Sequence, residues 1–263
     1  MVVMQTFEQS LTELFTELQQ LPDSRAPRMK VAVISMPRCG SKFFCDSMSS
    51  TGQFGRAREW ANTFYLQAYA NLIGVDRVKM GRYLQFVMKK TTSANGLFTL
   101  NFHVGQYIWW KKRGVDLLSL RFDRIYFVHR RDKIAQALSL VKAKYTNQWS
   151  SNIAPSRIVD AGEIGNSVIL RALLELSREE EYFMENLAAQ VCRSYYYEDF
   201  LQGDKCFREV LADCGVTLED DFVFACDREI QRNDSDVARI AELKSYLGCD
   251  GDDSWRPASQ QAG

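Results

Sequence analysis

The chain has 263 residues, of which 46% are hydrophobic, so it is long enough for one domain with a full core. Lysine and arginine together number 33, and so do aspartate and glutamate. This balance excludes the global positive field with which a protein binds nucleic acid or an anionic membrane surface, so any anion site must be local.

Cysteine and histidine usage indicates a reducing compartment and no metal. The seven cysteines form no C-x-x-C pair, and only two histidines are present to support a metal site. The N-terminus lacks a basic segment followed by an apolar core, and no run approaches the roughly 20 apolar residues of a membrane span. We therefore expect a cytoplasmic protein with no transmembrane segment and no bound metal.

The first part of the chain predicts a packing helix, then a strand, a turn and a second helix. Apolar residues at helical spacing indicate a helix over residues 7–21. Val31 to Ile34 form a short apolar run, which is typical of a parallel strand covered on both faces. Gly40 gives the following turn its backbone freedom, and Ser41 is predicted to cap a helix over residues 42–50.

The rest of the chain alternates strands with helices through short connections. The predicted elements are, in chain order, a helix over 59–73, a partly helical insertion over 74–97, a strand over 97–103, a helix over 106–113, a strand over 125–129, a helix after Asp132, a helix over 166–187, a strand over 191–197, a helix around 207–211 and a helix over 235–247. This order predicts an α/β fold, with a P-loop-like parallel β-sheet flanked by helices in a single domain. We expect an N-terminal helical extension over 1–29, the domain over 30–248 and a flexible tail over 249–263.

The turn at residues 37–42, PRCGSK, has the features of an anion site. The unpaired N–H groups at a helix N-terminus point, with the helix dipole, at whatever lies above the strand end. Arg38 and Lys42 flank the turn, so that one anionic group would meet two cations and several N–H donors. The alternative is an ordinary strand-turn-helix with two solvated basic residues. A Walker A loop is excluded, because the lysine follows the serine and no upstream glycine is present.

A second turn with cations follows the strand over 125–129, where Arg130 and Arg131 precede a predicted helix. Ligands of open α/β sheets bind beyond the carboxyl ends of the strands, so both turns should face one crevice. Two anion sites would then share one ligand. The alternative is a solvated charge cluster at the start of a helix.

Separated stretches of the chain resemble the bacterial sulfotransferase family typified by trehalose sulfotransferase. PRCGSK resembles the P-R-S-G-S-T loop that grips the 5′-phosphosulfate of 3′-phosphoadenosine 5′-phosphosulfate (PAPS), with Cys39 and Lys42 as departures. Gly55 and Glu59 match the family's G-x-x-x-E without a gap, HRRDKIAQALSL is similar to its second loop, and YYYEDF is similar to its Y-E-D-L. The resemblance covers most of the chain from residue 31 to about 200. Where the family has G-x-K-L-x-W, this chain reads TLNFHV, so Asn101 stands at the lysine position.

The resemblance implies a PAPS-dependent sulfotransferase that acts on a hydroxyl of a carbohydrate or glycolipid, and it implies a homodimer. In the family, an arginine at the end of the second strand and a serine on the next helix hold the 3′-phosphate that distinguishes PAPS from other adenine nucleotides. Arg130 and Arg131 precede Ser139 by nine and eight residues. The implied nucleotide contacts are Arg38, Cys39, Gly40, Ser41, Lys42, Phe43, Arg130, Arg131, Ser139 and, more loosely, Arg232 in IQRND.

The resemblance also implies that Glu59 is the general base, while Arg38 and Lys42 neutralise charge on the transferred group. His103 is the rival base because other sulfotransferase families use histidine, although a lone histidine in an apolar strand is also a structural residue. Two other classes of protein stay open. A small-molecule kinase would need a Mg²⁺-holding hydroxyl after the loop lysine, where Phe43 stands. A non-catalytic nucleotide-binding or assembly protein could share the same fold.

Overall fold

The computed structural model describes residues 7–149, 154–225 and 233–249 as an α/β fold, which confirms the predicted fold class. The helices and strands are α1 (Phe7–Gln20), β1 (Met29–Ser35), α2 (Ser41–Ser50), α3 (Thr63–Leu72), α4 (Met80–Thr91), β2 (Leu97–His103), α5 (Val104–Lys111), β3 (Arg124–His129), α6 (Lys133–Thr146), α7 (Asn166–Asn186), β4 (Arg193–Tyr196), α8 (Tyr197–Phe200), α9 (Lys205–Asp213) and α10 (Asp234–Tyr246). Short 3-10 helices cover Leu117–Leu120, Ala161–Glu163 and Ala188–Gln190.

The sheet consists of four parallel strands in the order β2-β1-β3-β4. β1 lies at the centre and is buried from Val31 to Ser35, as its continuous apolar run predicts. Ser35 at the end of β1 lies opposite His103 of β2 and Val128 of β3. The carboxyl ends of the three strands therefore meet at one edge of the sheet, and the turns that follow them are neighbours.

Helices cover both faces of the sheet. Tyr126 and Phe127 are successive residues of β3, so their side chains point to opposite faces. The ring of Tyr126 lies 6.3 Å from that of Tyr195, which in turn lies 6.4 Å from Phe44 of α2. The ring of Phe127 stacks on Phe183 of α7 at 3.6 Å. α2 and α7 therefore pack on opposite faces, and the apolar character of β1, β2 and β3 follows from that burial.

The N-terminal helix α1 is packed into the main core. Phe15 and Leu18 have no exposed surface. The ring of Phe15 lies 6.3 Å from Trp60 and 6.2 Å from Tyr83 of α4. Burying one such side chain contributes about 1.5–3 kcal/mol. The segment 1–29, predicted as an extension, thus supplies a helix that covers α3 and α4.

Some element boundaries differ from the predicted ones at the site. Glu59 precedes α3, which begins at Thr63, because the Asn62 side chain caps the helix by accepting from the backbone N–H of Phe64 at 3.1 Å. Ser41 is the first residue of α2, and its predicted role as the cap is wrong. The N-cap is Gly40, and no side-chain cap is present there. The predicted insertion over 74–97 contains the helix α4.

The last described helix, α10, is fixed to α6 by a buried ion pair. Lys142 Nζ donates to Asp236 Oδ1 at 2.5 Å, and Asp236 is 4% exposed. Residues 250–263 of the predicted flexible tail lie outside the described residues. None of the described helices is both long and apolar enough to cross a membrane.

Candidate functional site

The turn after β1 depends on backbone conformations that glycine favours. Gly40 has φ 80°, and Arg38 also has a positive φ of 60°. A Cβ atom at residue 40 would lie 2.3 Å from Cδ2 of Tyr197, so the ring of Tyr197 closes over the turn. Glycine, which has no Cβ atom, is therefore the residue that fits at this position without a clash with Tyr197.

Cys39 ties this turn to β3. Its Sγ donates to the carbonyl of Val128 at 3.1 Å, and the residue has no exposed surface. Burial raises the pKa of the Cys39 thiol to about 11, so the group stays protonated at neutral pH. In this structure the Cys39 side chain links two strand ends.

Arginine side chains from the two turns meet at the sheet edge. Arg38 Nε donates to Ser139 Oγ at 2.9 Å, and its Nη1 donates to the carbonyl of Trp149 at 2.7 Å. Arg130, which is 7% exposed, donates from Nη1 to the carbonyl of Arg38 at 3.4 Å. Burial lowers the pKa of Arg38, the nearby charge of Arg130 lowers it further, and the charge of Glu59 opposes both effects. The charges of Arg38 and Arg130 repel each other, so an anion bound between the two guanidinium groups would favour both.

A carboxylate from α8 completes the second turn. Glu198 Oε2 accepts from the backbone N–H of Arg131 at 3.1 Å, and Oε1 accepts from that of Asp132 at 3.3 Å. Glu198 Oε1 also lies 3.9 Å from Arg130 Nε, and the Arg130 guanidinium lies 5.0 Å from the ring of Tyr197. Arg130 is thus positioned by α8, whose sequence is part of YYYEDF.

Other predicted contact residues point elsewhere. Lys42, half exposed, pairs with Asp46 one helical turn along α2. Arg131 Nη2 lies 2.8 Å from Asp199 Oδ1, and its guanidinium lies 3.9 Å from the ring of Tyr196. The ring of Phe43 lies 5.9 Å from that of Phe207, in the aromatic core beneath α2. Ser41 is buried, and Arg232 lies outside the described residues.

The two rival bases form one ion pair at the end of β2. Glu59 Oε1 lies 3.2 Å from His103 Nε2, and the two side chains are 27% and 16% exposed. Glu59 Oε2 accepts from Gln106 Nε2 at 2.9 Å and from Asn62 Nδ2 at 3.3 Å. On the other side of the ring, Ser35 Oγ lies 2.8 Å from His103 Nδ1.

Mutual attraction shifts both pKa values of this pair. Burial raises the pKa of Glu59, but the charge of His103 and the hydrogen bonds from His103, Gln106 and Asn62 outweigh it and lower the pKa to about 2. Burial lowers the pKa of His103, but the charge and hydrogen bond of Glu59 outweigh it, so the pKa is raised from 6.5. At neutral pH these directions favour a carboxylate beside an imidazolium.

Sequence reasoning missed the groups that orient this pair. Ser35 and Gln106 contact His103 and Glu59, yet neither belongs to the motifs from which the site was predicted. Their only sequence signal is position, since Ser35 ends β1 and Gln106 lies in the first turn of α5. Among the described residues, no group of three or more His, Cys, Asp or Glu side chains is arranged to hold a metal ion.

Comparison with known proteins leaves the family open. The chain matches no protein-family model. It is 29% identical over 111 residues to a phosphoenolpyruvate carboxylase of Pyrobaculum islandicum. That match covers 40% of this chain and 23% of the carboxylase, so the chain spans about a quarter of the relative that it matches. A similarity of this extent assigns neither a family nor an activity to this chain.

Proposed function

We propose that the protein is a sulfotransferase that binds PAPS at the two neighbouring turns and transfers its sulfuryl group to a hydroxyl of a carbohydrate or glycolipid. The observation that carries the proposal is the pairing of Arg38 with Ser139 at 2.9 Å, beside Arg130, at the ends of adjacent parallel strands. PAPS carries anionic groups at both ends of its ribose, which suits two cationic turns that share one crevice.

The site chemistry fits a dianionic phosphate group. Arg130 is nearly buried, and the pKa of Arg38 is lowered first by burial and then by the charge of Arg130. Bringing two cations together in this way costs free energy, which a phosphate bound between them would offset. Arginine guanidinium groups together with a serine hydroxyl can bind a phosphate group without a metal ion.

The acid–base pair lies next to these cations, since the charges of Glu59 and Arg38 act on each other. In the proposed reaction, the acceptor oxygen bonds to sulfur as the sulfur–oxygen bond to the 5′-phosphate breaks. The hydroxyl proton passes to the Glu59 carboxylate, and adenosine 3′,5′-bisphosphate leaves with the negative charge. Because the pKa of Glu59 is held at about 2, the carboxylate takes the proton only after the new bond has acidified the hydroxyl.

Trp149 is the aromatic residue best placed to meet an acceptor. It is 39% exposed, and its carbonyl accepts from Arg38. Trp60 and Tyr83 have no exposed surface and serve the core. An exposed indole beside a transfer site suits a sugar ring, whose C–H face packs on aromatic side chains.

A nucleotide titration tests donor binding. Adenosine 3′,5′-bisphosphate should bind more tightly than AMP, and Ser139→Ala should weaken only the former, by about 1.5–3 kcal/mol for one charge-assisted hydrogen bond. Ser245→Ala, at an exposed site on α10, is the matched control. Equal affinity of the wild type for the two nucleotides would contradict the proposed phosphate site.

A transfer assay with labelled PAPS against a lysate of the source cell tests the activity. Glu59→Gln should leave nucleotide affinity nearly unchanged and lower kcat by roughly 10²-fold or more, because it removes the base. His103→Asn leaves the carboxylate in place and should cost less. Nucleotide binding without transfer would favour a binding or assembly protein, and a requirement for Mg²⁺ with ATP would favour a kinase.

A further inference from the structure

A chain of hydrogen bonds connects Asn101 and Ser35 to Nδ1 of His103, on the side of the ring away from Glu59. The proposed function gives these two residues no role. Ser35 Oγ donates to Asn101 Oδ1 at 2.9 Å, and the same oxygen lies 2.8 Å from His103 Nδ1. Ser35 and Asn101 are 0% and 1% exposed, so no water competes for these contacts. Both residues lie inside the sheet, on β1 and β2.

The direction of this chain decides whether the inner nitrogen of the histidine ring, Nδ1, carries a proton. A serine hydroxyl has one proton, and an amide oxygen can only accept. With its proton directed to Asn101 Oδ1, Ser35 Oγ can only accept from His103 Nδ1, whereas a proton directed to Nδ1 would leave that nitrogen bare. The first arrangement supplies the buried Asn101 Oδ1 with a donor, and it requires a proton on His103 Nδ1.

The outer face of the ring carries a proton as well. Nε2 of His103 lies 3.2 Å from the Glu59 carboxylate, which accepts a hydrogen bond rather than giving one. The charges that face the ring are Glu59, from the turn before α3, and Glu179, from α7. Arg38 acts on Glu59 from the other side. The charges of both carboxyl groups favour the positive form of the imidazole.

We propose that Ser35 and Asn101 are positioning residues that keep His103 doubly protonated, as a resident imidazolium. The charge state is inferred from these contacts, and its catalytic consequence rests on the proposed function. An imidazolium has no lone pair for a substrate proton, so His103 cannot be the base while this chain is intact. The imidazolium of His103 keeps Glu59 ionised and places a positive charge at the end of β2. On the same strand, Asn101 stands at the position of the family's lysine.

Nitrogen NMR of the full chain, labelled with ¹⁵N at histidine, measures this protonation state directly. The chain has two histidines, and His129→Asn leaves one ring system to assign to His103. At neutral pH, both ring nitrogens of His103 should carry protons in the wild type. Asn101→Leu removes the acceptor, frees Ser35 to donate to Nδ1, and should lower the proton affinity of His103 about tenfold, the effect of one charge-assisted hydrogen bond.

Asn101→Asp is the matched control, because a carboxylate accepts and cannot donate. It should keep the imidazolium that Asn101→Leu loses, and thermal unfolding of each variant should show that the fold is intact. A wild-type His103 with a bare Nδ1 at neutral pH overturns the proposal, and so does an unchanged proton affinity in a folded Asn101→Leu protein. Neither result depends on PAPS, so a failure here is separate from a failure of the proposed function, which the nucleotide titration measures.

Discussion

Replacing Glu59 with glutamine should destabilise the fold by an amount that depends on pH. A carboxyl group whose pKa is lower in the folded than in the unfolded state contributes stability above the unfolded pKa and loses it as pH falls through the folded pKa. For Glu59 the pKa falls from 4.5 to about 2, which is on the order of 3 kcal/mol in all. By about pH 3 the wild type should have lost about 2 kcal/mol of this contribution.

At high pH the stabilising contribution of the pair is lost through His103. The pKa of His103 is raised from 6.5, so its contribution is complete below that value and is lost as pH rises through the higher, folded pKa. Glutamine at residue 59 does not titrate and cannot hold the imidazolium. The difference in unfolding free energy between wild type and Glu59→Gln should therefore be greatest between pH 4.5 and pH 6.5.

Urea denaturation followed by tryptophan fluorescence at a series of pH values measures this difference. Glu219→Gln, at an exposed position, controls for the loss of one negative charge. We expect the wild-type advantage over Glu59→Gln to shrink by about 2 kcal/mol from about pH 6 to about pH 3. A difference that stays constant across that range would refute the ion pair as the cause of the shifted pKa.

Other predictions concern packing and the turn. Gly40→Ala should cost about 1–3 kcal/mol in unfolding free energy, because alanine is strained in the left-handed conformation and its Cβ meets the ring of Tyr197. Adding Tyr197→Leu to this variant should recover only the part of the loss that is due to the clash. Lys142→Met should cost about 3–5 kcal/mol, because it leaves the buried Asp236 carboxylate without its cation, and a loss under 1 kcal/mol in urea unfolding would argue against a buried pair. Phe207→Ala should cost about 3–5 kcal/mol, since the ring is fully buried, and calorimetry should show a matching fall in Tm.

The fold was predictable because the apolar patterns are local and strong. The strand over 97–103 has the predicted limits, and the helices over 7–20 and 166–186 differ from prediction by one residue at the end. A continuous apolar run such as 31–34 indicates a strand buried on both faces, and β1 is the central strand. These signals need no knowledge of distant contacts.

The arrangement of the site was less accessible. Glu59 and His103 are 44 residues apart and meet because the segment before α3 pairs with β2. Arg58 bridges Leu100, and the N–H of Asn101 donates to the carbonyl of Arg58 at 2.9 Å, a long-range pairing that local patterns do not specify. The predicted helix begins at residue 59, four residues before α3, because the aromatic pattern continues through the cap at Asn62. The ion pair of Lys42 with Asp46 could be predicted, however, because the two residues are separated by the helical spacing of four residues.

The thiol of Cys39 can report when the turn after β1 separates from β3, because its chemical reactivity depends on that separation. A protonated, fully buried sulfur that donates to Val128 does not react with an alkylating reagent until the turn separates from β3. Cys192 is exposed and reacts without any such opening. The rate at which Cys39 is labelled thus measures the free energy of local opening at the proposed anion site, and a ligand that joins the two turns should slow that rate in proportion to how tightly it binds.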